Sequence, residues 1–183
     1  MGLDAVELVI RTEDAFGITI TDADAARLTT PRELASFVGT QIRLVPVTAC
    51  LTQQAFNRLR SALVEAGCDR VAVRPSALLS ELFPEPGRRA RWQSVGQRLG
   101  AAPWPRLERP FLRPTKAAFP RGCETVGKLA RHLATWDARV PKERSNAWTK
   151  ETVLLRVRQI TSEELGIDTF NDDDQYLRDL HVD

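Results

Sequence analysis

Apolar residues at helical spacing open the chain. Leu3, Val6, Leu8, Val9, Ile10 and Phe16 form a broad face, while Glu7, Arg11, Glu13 and Asp14 fall mostly off it. Gly17 stands where a left-handed residue ends a helix. Ile18 and Ile20 then predict a short extended link, and Asp22 to Leu28 one or two turns. Thr30-Pro31-Arg32-Glu33 reads as a helix start: a capping threonine, a proline for the first turn and an acid that completes a capping box. Leu34, Phe37, Val38 and Ile42 are its expected buried side.

Further along, Thr52 is the expected cap of a helix with Phe56, Leu59, Leu63 and Val64 on one face and Gly67 at its end. Residues 84–120 hold seven prolines and many arginines, and only about 90–100 looks helical there. Thr125 to Trp136 predicts a helix with Val126, Leu129 and Leu133 on one side. Thr149 to Leu165 predicts the last long one, with Val153, Leu154, Val157, Ile160 and Leu165 inward and Gly166 as its stop. No useful run alternates like a strand, so the expected class is all-α.

Composition narrows the picture. Among 183 residues, 43% hydrophobic and 27% charged is ordinary for a globular protein. No apolar run approaches the roughly 20 residues that span a bilayer. The start, Met1-Gly2-Leu3-Asp4, lacks the pattern of a signal peptide, and a cytoplasmic location is the expectation. Cys50, Cys68 and Cys123 have no metal-binding spacing, and His132 and His181 are the only histidines. A Cys123/His132 pair has nothing to position a third group, so no catalytic set and no metal site are expected. The run Asp172-Asp173-Asp174 lacks the alternating ligands and glycine of a calcium loop and reads as a capping loop.

Charge is unevenly spread. Residues 1–42 and 151–183 together carry −10, and residues 43–150 carry +12. Arg88, Arg89, Arg91 and Arg98, with Trp92, Trp104, Arg106, Arg109 and Arg113, make an Arg/Trp/Pro-rich stretch. Such a stretch suits nucleic-acid phosphates, an acidic protein partner, or the acidic segments of this same chain.

Two segments resemble the parts of an acyl carrier protein, in exchanged order. Leu3-Asp4-Ala5-Val6-Glu7-Leu8-Val9 with Glu13-Asp14-Ala15-Phe16-Gly17-Ile18 resembles that family's second helix and following loop. Thr29-Thr30-Pro31-Arg32-Glu33-Leu34 resembles the start of its last helix. The family's first helix and loop are matched at the other end, by Glu163-Glu164-Leu165-Gly166-Ile167 and by residues 172–183. Joining Asp183 to Met1 restores the family order with one additional residue at the seam, as in a circular permutation. A truncated carrier with an unrelated tail and a domain-swapped dimer are the competing readings. The middle resembles a second, degenerate repeat in ordinary order: 56–67, then Pro75-Ser76-Ala77-Leu78-Leu79-Ser80-Glu81-Leu82, then Arg91-Trp92-Gln93-Ser94-Val95, then Thr125-Val126-Gly127-Lys128-Leu129.

The expected organisation is therefore an outer domain of residues 1–42 plus 148–183 and an inserted basic domain of residues 52–136. Residues 43–51 and 137–147 are the expected linkers. The resemblance implies a phosphopantetheine-bearing serine at the start of the second helix. That position falls on Gly2 in the outer unit and Arg91 in the inner one, neither with a hydroxyl, and Ser94 and Ser80 lie off it. No prosthetic group is expected, and the implied role is a non-enzymatic binding or scaffolding module beside fatty-acid or polyketide-type enzymes. The family's acidic recognition face is partly retained in Glu7, Glu13 and Asp14, so acyl-chain enzymes or another carrier are the expected partners. The alternative is a regulatory or nucleic-acid-binding protein that uses the Arg-rich middle.

Overall fold

Helix α3 (Pro31–Gln41) shows how local sequence sets an element. Thr30, in extended backbone, accepts the Glu33 N–H on its hydroxyl at 3.2 Å, and the Glu33 carboxylate accepts the Thr30 N–H at 3.1 Å. Pro31 has no N–H to leave unpaired in that first turn. Helix α8 (Lys150–Leu165) starts the same way from Thr149, with the Thr152 hydroxyl in the role of the acid, and ends at a left-handed Gly166.

The computed structural model describes residues 3–100, 103–108 and 118–182. The other helices are α1 (Leu3–Phe16), α2 (Asp22–Ala25), α4 (Leu51–Glu65), α5 (Leu79–Leu82), α6 (Arg88–Leu99), α7 (Val126–Thr135) and α9 (Tyr176–Asp179). The fold is all-α: among the described residues there is no strand, only isolated bridges of Leu78 with Thr125 and of Glu108 with Ala118. No described helix is long and apolar enough to cross a membrane.

The chain divides into two compact units, Met1–Cys50 with Thr135–Asp183, and Leu51–Ala134. In the first, the outer unit, α1 and α3 both pack on α8. Leu8, Phe16, Leu34, Val38, Val157 and Ile160 meet in its core. Burial of such side chains contributes about 1.5–3 kcal/mol each. Residues 43–51 and 137–147 read as linkers in the sequence; all but Leu51, which opens α4, lie within this unit. The Val45 N–H donates to the Trp148 carbonyl at 2.8 Å, and Val140 is buried.

Helix α8 departs from a simple amphipathic helix. Arg156, Arg158, Gln159, Thr161 and Ser162 are buried along with its apolar residues. The reason is that Thr135 and residues 167–174 cover its polar side. Arg158 donates to the Thr135 hydroxyl at 3.1 Å and the Phe170 carbonyl at 3.3 Å, pairs with Asp172, and lies over the Phe170 ring. Ser162 donates to the Ile167 carbonyl. On α1, conversely, the expected apolar face is only partly covered: Val6 is 37% and Ile10 48% exposed.

The inner unit packs α4, α6 and α7 around Leu59, Leu63, Leu79, Phe83, Trp92 and Leu129. Two boundaries shift from expectation. Helix α4 starts at Leu51, whose burial draws the helix forward and puts Thr52 inside the first turn. Helix α6 starts at Arg88, after a left-handed Gly87, and not near Arg91. Arg88 is held there because its guanidinium donates to the Phe83 carbonyl at 2.6 Å and lies over the Phe119 ring.

One backbone arrangement recurs in both units. In the outer one, the Tyr176 N–H donates to Thr29 and the Arg32 N–H to Asp172, each at 2.9 Å. In the inner one, the Leu79 N–H donates to Glu124 at 2.9 Å and the Gly127 N–H to Pro75 at 2.8 Å. The spacing within each pair of strands of the bracket is the same. The residue that follows Thr29 or Glu124 is in each case a threonine, Thr30 or Thr125, whose hydroxyl accepts the N–H three residues on at 3.2 Å. Each bracket opens a four-residue helix, α9 or α5.

Candidate functional site

In the outer unit an apolar groove of about 480 Å³ runs between α1, α2 and α9. The spacing of α1 puts Ala5, Leu8 and Val9 on one stripe facing it, and Ala25 and Leu28 line the opposite wall. Three of its lining residues, Ala5, Ala25 and Ala26, are alanines, and their short side chains are what leave the space open. Leu177 of α9 stands at the groove and is 75% exposed, so apolar surface continues from the groove outward.

Tyr176 contributes its buried ring. Burial pushes its hydroxyl far above the usual phenol range, and the nearby Thr161 hydroxyl moderates this only in part. Neither hydroxyl makes a hydrogen bond of ordinary geometry within the protein. Tyr176 is therefore a neutral wall residue and not a base at neutral pH.

The acidic residues expected as a recognition face divide. Glu7 and Asp14 are exposed on α1. Glu13 is half-buried and its carboxylate accepts the Ile20 N–H at 2.6 Å, so it clamps the turn after α1. Of the Asp172-Asp173-Asp174 run, Asp172 is buried against Arg158, Asp173 pairs with Arg32, and Asp174 accepts the Asn171 N–H at 2.8 Å. The run closes its own loop, but it is not the solvated segment the sequence suggested: Asp172 and Asp174 are both buried and only Asp173 is exposed.

The arginines expected as a partner surface are mostly engaged within the inner unit. Arg88 has the contacts given above and pairs with Glu85. Arg91 donates to the Pro84 carbonyl at 2.8 Å and lies over the Phe83 ring. Arg98 pairs with Glu65 at 3.4 Å. Arg89 is exposed. Arg109 and Arg113 lie outside the described residues.

Among the described residues of the inner unit, Trp104 lies against α6. Trp104 packs 4.5 Å from Trp92 between ring centroids, and Phe119 stands 5.0 Å from Trp92. A Cβ on Gly96 of α6 would come within 2.7 Å of the Trp104 ring, so the glycine is what admits the indole.

Helix α6 starts at Arg88, so Arg91, which the carrier resemblance would put at a helix start, lies one turn inside it. Gly2 lies outside the described residues. Ser94 is half-buried within α6 and Ser80 is exposed in α5. Cys123 and His132 are both buried, the latter with Nε2 at 3.3 Å from the Pro103 carbonyl, and burial pushes the Cys68 thiol up. The groove residues Ala5, Ala25, Tyr176 and Leu177 escaped the sequence reading; the available signal was small residues on the apolar faces flanking α1 and α2. Comparison with protein-family models, curated proteins and solved structures yields no match for this chain.

Proposed function

We propose that the chain is a non-enzymatic binding module on the acyl-carrier plan, one that takes no phosphopantetheine and works beside enzymes of the fatty-acid or polyketide type. The apolar groove beside α1 is the observation that carries the reading. It gives the outer unit a place for an alkyl chain or a partner's apolar segment without any covalent tether. The exposed Glu7 and Asp14 on the same helix supply an acidic surface for a basic partner. The absence of a hydroxyl at Gly87 and Arg88, and at Gly2 in the sequence, supports binding in place of covalent loading. The nucleic-acid reading loses ground because Arg88, Arg91 and Arg98 already have internal partners.

Two measurements on the full chain test this. After co-expression with a broad phosphopantetheinyl transferase, intact mass is expected to be unchanged. Decanoate is expected to bind saturably, with Val9→Trp lowering its affinity at least about tenfold, or ~1.4 kcal/mol. A gain of one phosphopantetheine unit, or no saturable decanoate binding, sinks the proposal.

A further inference from the structure

A second, polar cavity of about 660 Å³ lies in the outer unit where α1 ends and the segments before α4 and α8 come together. Its floor is aromatic: Phe16 and Trp148 pack with centroids 4.6 Å apart and planes tilted by 47°. Arg43 and Arg144 line it, with Asn146 beside them, and no carboxylate is among the lining residues. Arg144 runs across Gly17, where a Cβ would stand 3.0 Å from its Nε, and the left-handed backbone of Gly17 leaves the guanidinium that path. At the end of α1 the Glu13 carbonyl accepts the N–H groups of Gly17 and Ile18, which leaves the cavity's two guanidinium groups to offset the helix's negative end.

One residue of the cavity wall carries a group unexplained by the fold. Trp148 is 1% exposed, and its indole N–H is buried with no acceptor in the protein. Buried indoles usually find a partner. Two cations and an amide beside an aromatic wall make a donor set that suits an acceptor-rich ligand. Guanidinium forks suit the oxygens of a doubly charged phosphate, and the aromatic wall suits an apolar substituent on it.

We propose that this cavity binds an organic phosphate monoester, with Arg43 and Arg144 on the phosphate and Phe16 and Trp148 under the organic part. The site is separate from the apolar groove and does not depend on the carrier-like reading.

Calorimetric titration of the full chain with phenyl phosphate, benzoate and inorganic phosphate tests it. Phenyl phosphate is expected to saturate and to bind more tightly than either of the others. The Arg43→Gln/Arg144→Gln double variant, whose substituted residues are exposed, is expected to keep its circular dichroism and lose at least about tenfold in affinity. Val9→Trp, in the groove, leaves phenyl phosphate binding unchanged. No saturation by phenyl phosphate, undiminished affinity in the double variant, or benzoate binding as tightly as phenyl phosphate overturns the proposal. Inorganic phosphate binding as tightly as phenyl phosphate overturns the role of the aromatic floor.

Discussion

The outer and inner units share a backbone bracket and differ in what fills the space beside it. In the outer unit alanines flank α1, and a groove remains. In the inner one, Trp92, Trp104 and Phe119 pack into one aromatic cluster, and Gly96 gives way to the indole. The brackets also differ in chemistry. Asp172 joins its backbone bond to a buried ion pair, whereas Pro75, at the matching position, brings no charge and comes so close that a Cβ on Gly127 would stand 2.9 Å from its carbonyl oxygen. A shared chain path thus leaves side-chain volume and charge to decide whether a unit presents a binding space or a filled one.

The sharpest way to separate the units is Asp172→Ala. Arg158, 3% exposed, would be left buried without its partner. Loss of one member of such a pair costs about 3–5 kcal/mol, and urea unfolding should show it, with hydrogen exchange lost first in α8. Pro75→Ala, its inner counterpart, should change stability by less than about 1 kcal/mol.

Next in size is Trp104→Ala, expected to cost about 3 kcal/mol by removing a large ring from a packed cluster. Added indole should then restore part of the melting temperature by occupying the vacated space, and no such rescue should occur in the parent chain. Failure of indole to raise the variant's melting temperature would argue that the inner unit collapses and has no latent groove.

Gly127→Ala is expected to destabilise by about 1–3 kcal/mol, since the added methyl meets backbone and not a flexible side-chain end. The matching outer position already carries Arg32, so Arg32→Ala should cost less, through its half-exposed pairs with Asp173 and, at 3.4 Å, Asp172.

The smallest effect concerns the caps. Hydrogen bonds from the Thr29 hydroxyl and backbone N–H, and from Thr30, hold the Glu33 carboxyl below its usual range. A depressed folded-state value means the stabilisation is complete above the unfolded carboxylate range and fades as pH falls through the folded one. Glu33→Ala should therefore cost about 0.5 kcal/mol at neutral pH, discounted for its exposure, and nothing in strong acid. Unfolding midpoints measured from neutral to acid pH read this directly. Lys128, the matching inner residue, bonds Glu124 at 3.0 Å and helps hold that carboxyl below its usual range, so Lys128→Ala should show a gap that also fades in acid.

Much of the helical layout was legible. The capping box at Thr30, the stop at Gly166 and the periodic face of α7 are local signals, and local signals survive in sequence. The start of α6 was not, because it is fixed by Arg88 reaching back to Phe83 and across to Phe119, contacts no helical period encodes. The polar side of α8 was not legible for the same reason: Arg158 is buried by the loop carrying Asp172, and Gln159 by the Thr135 carbonyl to which it donates. The groove was least legible of all, since it is made by what Ala5 and Ala25 lack.

The bond between Arg32 and Asp172 joins residues 140 apart in the chain. During synthesis, then, α3 emerges from the ribosome long before the helix it packs on exists. At roughly 5–20 residues per second, its apolar stripe waits several seconds in the cell with nothing of its own to cover it. The intervening Leu51–Ala134 has all of its own core to hand before α8 is made. A nascent-chain assay should find the middle protected from protease first, and chaperone contact persisting on the earliest segment until translation has nearly finished.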